Sequence, residues 1–559
     1  MTSPGTTRHQ GQIVDLFAQR IYPGFIEVTD GKISAVQEDG SVTESSYLCP
    51  GFIDAHVHIE SSMLTPPEFA RIAVTHGTVA TVSDPHEIAN VLGTEGVRYM
   101  QELAARTPCK IHFGIPSCVP ATNFETAGAT MGPEAVEELC ADPSLLYLSE
   151  MMNFPGVIHG DPEVMRKIDI AKKHGKRIDG HAPGLRGADL ATYVAAGIET
   201  DHECFQIDEA REKLSLGQKI LIREGSAAKN FEELWPLLGE RPESCMLCSD
   251  DKHPDDLLEG HINSLCARAV AKGVPVFHVL RAACLNPVLH YGLRSGLLRP
   301  GDPADFIRLR DLTGFAVAET WIDGQCVARA GESLLPRSRS PRANRFHVLP
   351  KKASDFAVPA GRGTIRVIEA LDGQIVTGAG EAEPLLHDGR AVADAARDVL
   401  KIAVVNRYGD APPAVAFVRG VGLKRGAIAS SVAHDCHNLV AVGTGDEELA
   451  RAINLLIANE GGICAVGDDK QDVLPLPVAG LMSDGYAEDV AAGYARLSAQ
   501  AKELGSTLHA PFMTLSFLAL LVIPALKLSD LGLFDGTKFE FVPVFTGDPT
   551  VAHPNAAAG

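Results

Sequence analysis

The sequence predicts an α/β protein: a (β/α)8 barrel inserted in a small β-sandwich, followed by a C-terminal α+β domain. Three observations support this prediction. The 559 residues exceed the roughly 250–300 residues at which a single core stops growing. Residues 49–297 contain strand-like runs separated by amphipathic stretches, and their number suits such a barrel, which takes about 250 residues. Similar short β segments stand before and after that region.

The flanking β segments are short and bounded by turn residues such as Asp30-Gly31. They are Gly11–Asp15, Phe25–Val28 and Lys32–Val36 before the barrel, and Asp305–Leu309 and Thr320–Val327 after it. Residues 1–48 and 298–350 are therefore predicted to form the two parts of one split β-sandwich.

The barrel prediction depends on a count of strand-like runs. The eight runs are Tyr47–His58, Val79–Ser83, Lys110–Pro116, Leu145–Met151, Arg177–His181, Gly197–His202, Lys219–Arg223 and Ser244–Ser249. Several of them end in a titratable residue. In this fold the carboxyl ends of the strands build the active site, so these residues are candidates for function.

A Pro, Arg and Ser-rich stretch, Pro336–Arg342, separates the barrel and its sandwich from the rest. It is interpreted as an exposed connection, with a basic patch for a partner as the alternative. Residues 351–559 alternate strand-like and helical segments, which predicts an α+β domain large enough for its own core. Its strands are predicted at Ile365–Ile368, Ala414–Arg419, Ala427–Ala433, Leu439–Val442 and Gly462–Val466, and its helices at Asp446–Asn459 and Ala487–Lys502.

Charge and composition narrow the class of partner. A formal net charge of −21 argues against binding nucleic acid, which requires clustered Lys and Arg, and favours a small-molecule substrate. The twelve cysteines are scattered, and Cys245 and Cys248 are interpreted as strand residues rather than zinc ligands. The most apolar stretch, Phe512–Leu526, is shorter than a membrane span of about 20 residues. We expect a cytoplasmic protein with no membrane contact, and a homodimer because closed dimers are common.

A metal site is predicted at the ends of the barrel strands. His56 and His58 are two residues apart on a strand and therefore share a face, although surface histidines at this spacing are also common. Titratable residues at the ends of later runs join them: Glu150, His181, His202 and Asp250. Any one of these histidines, taken alone, could instead be a structural residue buried in the barrel core. Four histidines and two carboxylates at one barrel mouth suit two divalent cations, with a carboxylate able to bridge them.

These strings resemble the amidohydrolase superfamily and, within it, the adenine deaminase family. The strings are Pro50–Glu60, Asp84–Glu87, Ser149–Asn153, Gly180–Ala182, Asp201–Glu203, Ser249–Asp251, His434–Asn438 and Pro511–Thr514. The resemblance implies His56, His58, His181 and His202 as histidine ligands. It also implies Glu150 as the bridging carboxylate and Asp250 as ligand and proton shuttle.

Two departures from related families favour a binuclear centre bridged by Glu150. Dihydroorotase and hydantoinase relatives bridge their metals with a carboxylated lysine, but residues 142–166 contain no lysine. Mononuclear deaminases place a catalytic Glu three residues after the fifth-strand histidine, where this chain has Gly184. The resemblance favours Mn²⁺, with Fe²⁺ and Zn²⁺ as alternatives.

The activity that the resemblance implies is hydrolytic deamination of adenine to hypoxanthine and ammonia by a metal-bridged hydroxide, in purine salvage. Metal ions lower the pKa of a bound water toward about 7, and Asp250 would move the proton. The alternatives are an amidohydrolase acting on another aminated heterocycle or a cyclic amide, and a metal-retaining binding module without turnover.

Other polar residues are expected near the barrel mouth, and the sequence leaves more than one interpretation open for each of them. Glu60, His86, Glu87 and Glu203 could orient the ligating imidazoles, hold an additional metal, or be polar loop residues satisfied by the backbone. Arg223 could reach substrate or form a structural ion pair. His434 and His437 could cover the barrel and contact substrate, or cap a turn within their own domain.

Overall fold

The computed structural model describes residues 5–468 and 470–549. Its first strands are β1 (Thr7–Asp15), β2 (Arg20–Thr29), β3 (Lys32–Glu38) and β4 (Tyr47–Pro50). Next come β5 (Phe52–Val57), α1 (Pro66–Ala73), β6 (Thr78–Ser83), α2 (His86–Leu92), α3 (Thr94–Ala104), β7 (Lys110–Phe113), α4 (Pro133–Cys140), β8 (Tyr147–Met151), α5 (Phe154–His159), α6 (Pro162–Lys173), β9 (Arg177–Gly180), α7 (Gly187–Ala195), β10 (Thr200–Asp201), α8 (Ile207–Ser215), β11 (Lys219–Arg223), α9 (Phe231–Leu234), α10 (Leu237–Glu240), β12 (Cys245–Cys248), α11 (Pro254–Glu259), α12 (Ile262–Ala271), α13 (Val276–Leu280) and α14 (Asn286–Tyr291).

Strands β13 (Phe306–Leu309), β14 (Val317–Ile322), β15 (Gln325–Arg329) and β16 (Glu332–Ser333) follow. The rest of the chain contains β17 (Val358–Pro359), β18 (Ile365–Ala370), β19 (Thr377–Ala382), β20 (Leu385–His387), β21 (Arg390–Val392), β22 (Leu400–Val405), β23 (Ala414–Arg419), β24 (Ala427–Ser430), β25 (Leu439–Gly443), α15 (Asp446–Ala458), β26 (Gly462–Val466), β27 (Gln471–Pro475), α16 (Ala487–Glu503), α17 (Pro511–Phe517), β28 (Leu526–Ser529), β29 (Gly532–Asp535) and β30 (Glu540–Phe541). Short 3₁₀ turns lie at Ile59–Ser62, Val74–His76, Pro242–Ser244 and Ala353–Phe356, and a π turn at Arg281–Leu285.

Strands β5 to β12 form a closed parallel barrel. Parallel pairing joins β5–β6–β7, β8–β9 and β10–β11–β12. Backbone hydrogen bonds close the remaining gaps: Ile115 N to Tyr147 O (2.8 Å), Glu199 N to Ile178 O (2.9 Å) and Asp250 N to His56 O (2.9 Å). The barrel predicted from the eight runs is confirmed.

The first predicted run, Tyr47–His58, is two strands rather than one. β4 pairs with β1 and β13 in the flanking sheet, whereas β5 belongs to the barrel. The chain passes between the two at Gly51, where a Cβ atom would lie 2.3 Å from a Val79 methyl group. Only glycine allows this close approach, which the β-favouring composition of the run did not indicate.

The strands on both sides of the barrel segment join in one sheet. Its order is β16–β15–β14–β13–β4–β1–β2–β3 within the described chain. The sheet folds back, since Ile33 N donates to Asp302 O at 2.9 Å, and it encloses a small core with Ile13, Ile26 and Phe306. The predicted run Thr320–Val327 contains a hairpin turn at Asp323-Gly324, between β14 and β15.

The C-terminal part has a second large sheet, of order β19–β18–β23–β22–β25–β24–β26–β27 over residues 351–468 and 470–549. The predicted strands and both predicted helices are present there. The prediction lacks β19, β22 and β27 of this sheet. Strand β22 was missed although its six residues are all buried. A buried apolar run without alternation is harder to assign than an amphipathic one.

Residues 334–352 connect β16 of the flanking sheet to the C-terminal part without forming a helix or strand. Ser338 N donates to Glu68 Oε1 (2.7 Å) on α1, and Arg342 Nε to Asp484 Oδ2 (2.9 Å). The side chains of Arg337 and Arg342 are exposed. The stretch is therefore the exposed connection that its composition predicts.

Cys245 and Cys248 are buried on β12, as predicted, and all twelve cysteines are free thiols in the described chain. The apolar stretch Phe512–Leu526 forms most of α17 and the loop before β28. None of the helices within residues 5–468 and 470–549 has both the length and the apolar character that a membrane crossing demands.

Candidate active site

The six residues of the predicted metal site converge at the carboxyl end of the barrel. His56 and Glu150 lie near the ends of β5 and β8. His58, His181 and His202 follow directly after β5, β9 and β10, and Asp250 lies two residues after β12. Their side chains are buried, apart from an 11% exposure of His181. Parallel strands bring their carboxyl ends to one rim, and this explains why residues 194 positions apart in sequence, His56 and Asp250, are neighbours.

Glu150 lies at the centre of this group. One of its carboxylate oxygens faces His58, and the other faces His181 and His202. Its Oε1 lies 3.3 Å from His58 Nε2. Its Oε2 lies 2.6 Å from His181 Nδ1 and 3.2 Å from His202 Nε2. A carboxylate in this position can share its two oxygens between two ions.

A second part of the group is formed by His56, His58 and Asp250. The Nε2 atoms of the two histidines are 3.2 Å apart, and Asp250 Oδ1 lies 3.6 Å and 3.4 Å from them. His58 Nδ1 lies 3.2 Å from the carbonyl oxygen of Asp84, to which it donates. This bond leaves the Nε2 lone pair of His58 free to bind a metal ion.

The donor set fits divalent cations. Imidazole nitrogens and carboxylate oxygens are ligands for Mn, Fe and Zn. Several sets of three side chains have ligand atoms close enough to share one ion, among them His56–His58–Asp250, His56–Glu150–His202 and His181–His202–Glu203. Among the described residues, buried His181 Nε2 has no hydrogen-bond partner. Burial opposes ionisation of Glu150, but His181 and His202 nevertheless hold its pKa well below the usual range. The carboxylate is thus an anion at neutral pH, as metal binding requires.

Arg223, at the end of β11, forms the ion pair that was one of its two interpretations. Its guanidinium contacts both oxygens of Glu203, with Nη2 2.9 Å from Oε2, and its Nη1 donates to Asp250 Oδ2 at 2.6 Å. Burial opposes ionisation of Asp250, and the neighbouring Arg223 more than offsets it, so the pKa of Asp250 lies well below its usual value. Asp250 thus has Oδ1 toward the histidines and Oδ2 fixed by an arginine.

Glu203 also faces the histidines. Its Oε1 lies 3.4 Å from His202 Nε2 and 3.5 Å from His181 Nδ1. The structure therefore places it within the cluster and not at a loop surface. Glu60 differs from Glu203. Its Oε1 accepts a hydrogen bond from Ile88 N (3.2 Å) in the first turn of α2, and its Oε2 has no partner in the described part of the chain.

His86 links the barrel site to a second polar group. Its Nδ1 lies 3.0 Å from Asp84 Oδ2 and 3.5 Å from Glu150 Oε1, and its ring packs edge-on against His58. Its Nε2 lies 3.6 Å from Glu87 Oε1. His86 therefore lies between the bridging carboxylate and Glu87.

Glu87 on α2 is held by two histidines of the C-terminal part. His434 Nδ1 lies 2.6 Å from Oε1, and His437 Nε2 contacts Oε2. His437 Nδ1 accepts from Ala433 N at 3.2 Å, so Nε2 carries the proton and donates to Glu87. His434 and His437 therefore contact a residue of the barrel segment, and their role at the site stays a prediction.

The two histidines differ in charge. Burial lowers the pKa of His437 to about 4, which keeps it neutral. Burial also acts against protonation of His434, but the Glu87 carboxylate outweighs it and raises the pKa of His434 to about 9. Glu87 thus has one cationic and one neutral partner, a pairing that satisfies its buried charge.

A cavity lies over these groups. The barrel supplies its polar floor, and the C-terminal part supplies an apolar roof of Ile375, Phe517, Leu520 and Val522. Phe517 stacks on His434 with ring centroids 4.9 Å apart. None of these roof residues was predicted to be functional. Phe517, Leu520 and Val522 lie in the apolar stretch Phe512–Leu526, which was considered only as a membrane span.

Asp251 also lines the cavity and was not among the predicted site residues. It accepts a hydrogen bond of 2.5 Å from Ser61 Oγ. Its position directly after Asp250 was a signal that could have identified it.

Comparisons with known proteins agree with this architecture. Residues 47–327 match the amidohydrolase family, and residues 374–540 match the adenine deaminase C-terminal domain. An adenine deaminase of Salinibacter ruber is 58% identical over 97% of this chain and 99% of its own length. An adenine deaminase of Methanosarcina barkeri is 53% identical over 97% of this chain and 100% of its own length. The resemblance inferred from the sequence strings is confirmed, and the chain belongs to the adenine deaminase family.

Proposed function

We propose that this protein hydrolyses adenine to hypoxanthine and ammonia at the carboxyl end of its barrel. The observation that carries the proposal is the position of Glu150, whose two oxygens face two separate sets of imidazoles. Attack of water at C6 of the purine and departure of the amino group balance the reaction: adenine and water give hypoxanthine and ammonia.

We assign the site to two divalent cations, with Mn²⁺ as the first choice and Fe²⁺ or Zn²⁺ as alternatives. His56, His58 and Asp250 would hold one ion and His181 and His202 the other, with Glu150 between them. Bound cations of this kind acidify a shared water, so that a nucleophile is available at neutral pH.

Asp250 is the proposed proton carrier. Arg223 fixes its Oδ2 at 2.6 Å, which leaves Oδ1 directed at the histidines where the water would be held. In this position Oδ1 can take the proton of the attacking water and pass it to a ring nitrogen or to the departing ammonia.

The cavity suits a flat aromatic substrate with polar edges. Phe517, Leu520 and Val522 form an apolar surface above the floor, which would cover the faces of a purine. Asp251, Glu87 and His434 line the same cavity and offer donors and acceptors for ring nitrogens. We therefore propose that they contact substrate. A role in purine salvage, a cytoplasmic location and a homodimer stay predictions from the sequence.

The decisive experiment measures ammonia release from adenine by protein reconstituted with Mn²⁺, with metal content determined on the same sample. We expect release with about two metals per chain. A fully metallated protein that releases no ammonia from adenine would refute the substrate assignment. A panel of other aminated heterocycles and cyclic amides would then identify the substrate class.

A further inference from the structure

Lys527 is a fully buried lysine beside the cavity roof. It lies on β28 with 0% exposure. Its Nζ donates to the carbonyl oxygens of Ile375 (2.7 Å) and Phe517 (2.9 Å). Both of these residues line the cavity, so a single ammonium group joins two segments of the roof.

This environment is unusual for a lysine. Among the described residues, no carboxylate lies within ion-pairing distance of Nζ, and burial lowers the pKa of Lys527 to about 7. Buried lysines are normally paired with an acid. Keeping an unpaired ammonium group here costs free energy, and the only described contacts that offset this cost are the two carbonyls.

The bonds of Lys527 close the base of the roof loop. The loop runs from Phe517, the last residue of α17, to β28 and carries Leu520 and Val522. Leu528 N donates to Leu518 O at 3.1 Å beside the Lys527–Phe517 bond. The second carbonyl belongs to Ile375, in the turn between β18 and β19. Thr377, directly after this turn, also donates to Pro524 O (3.1 Å) and Leu526 O (2.8 Å). The ammonium group adds the bonds that tie Ile375 to the start of the loop at Phe517.

We propose that Lys527 is a positioning residue that fixes the apolar roof over the substrate, and so determines how tightly the purine is held. The proposal rests on the proposed adenine site, because the roof matters only if substrate lies beneath it. Within residues 5–468 and 470–549, Lys527 has no hydrogen bond or ion pair to a metal-site residue. We therefore expect it to affect substrate binding and to leave metal content unchanged.

The test is Lys527→Met, which keeps the length of the side chain and removes its donors. Without the amino group, two buried carbonyls lose their hydrogen bonds. The turn and the loop are then held less closely, by the bonds of Thr377 to Pro524 and Leu526. We expect KM for adenine and the inhibition constant of hypoxanthine to rise about tenfold or more, with kcat changed less than about threefold and two metals retained.

Lys401 provides a matched control. It is also a buried lysine of the C-terminal sheet, and its Nζ donates to Phe356 O at 3.0 Å and Asp446 Oδ1 at 2.6 Å, away from the cavity. We expect Lys401→Met to lower the melting temperature and to leave KM unchanged. If both variants lose stability and neither changes KM, Lys527 is only structural and the proposal is wrong.

A second variant covers the case in which Lys527→Met does not fold. Lys527→Gln keeps one donor group, which can satisfy one carbonyl, so KM should rise by less than in the methionine variant. An unchanged KM in folded Lys527→Gln and Lys527→Met would overturn the proposal. Failure of the wild-type protein to act on adenine would instead refute the proposed function, and the two failures are therefore distinguishable.

Discussion

Replacement of Glu150 by glutamine tests the centre of the proposed site. The amide keeps the shape of the side chain but removes the charge that faces both metal positions, and one of the two oxygens becomes an NH₂ group that cannot bind a cation. Oε1 faces His58, and Oε2 faces His181 and His202. In the glutamine variant, one of the two metal positions therefore loses its ligand from residue 150, and the other keeps a neutral amide oxygen.

The expected loss can be calculated. Removal of an outer hydrogen-bond partner of a metal ligand already lowers metal affinity about 10–100-fold, so loss of a direct anionic ligand should cost about 100-fold or more, roughly 2.7 kcal/mol. At a metal concentration of about ten times the wild-type Kd, occupancy of that metal position falls from about 0.9 to about 0.1. Metal content should drop from about two to about one per chain.

The assay is equilibrium dialysis against Mn²⁺ with elemental analysis, together with ammonia release from adenine. Glu68→Gln is the control, because Glu68 is also buried and accepts from Ser338 N (2.7 Å) and Ala487 N (3.0 Å), away from the barrel mouth. We expect the control to hold two metals. A Glu150→Gln variant that binds both metals with unchanged affinity would refute the bridging role.

Three further predictions concern the same site. Asp250→Asn should retain adenine in equilibrium dialysis while kcat falls by about 10³-fold or more, and near-normal turnover would remove Asp250 from the mechanism. His437→Ala should raise KM for adenine severalfold at constant metal content, because Glu87 loses one of its two partners; if KM is unchanged, the contact serves stability alone. Removal of metal with a chelator should lower the melting temperature reversibly, since a ligand present at 100 times its Kd stabilises the folded state by about 2.7 kcal/mol; equal melting curves with and without metal would contradict a site that is filled in the native protein.

The sequence predicts the barrel rim well because local rules determine it. A period of two places His56 and His58 on one face, and parallel strands bring Glu150, His202 and Asp250 to one edge. Both rules need only the strand to which a residue belongs and its position on that strand. The metal-site residues could therefore be predicted to lie together although they are far apart in the chain.

Contacts that depend on tertiary packing could not be predicted in this way. Glu87 and His434 are 347 residues apart, and no pattern in either segment specifies the other. The division of the first run at Gly51 follows from a close approach to Val79, which exists only after the barrel has formed. Lys527 likewise resembles an ordinary strand lysine until the surrounding segments bury it.

The structure divides the site into a floor and a roof that are stabilised by different interactions. The floor around Glu150 contains buried imidazole nitrogens and carboxylate oxygens that bound cations would neutralise and coordinate. The roof is held by bonds internal to the protein, from Lys527 to the carbonyls of Ile375 and Phe517 and from Thr377 to Pro524 and Leu526. Because these bonds need no metal, the roof should keep its form when the floor is empty. Changes in the floor should therefore alter metal content and kcat, and changes in the roof should alter KM.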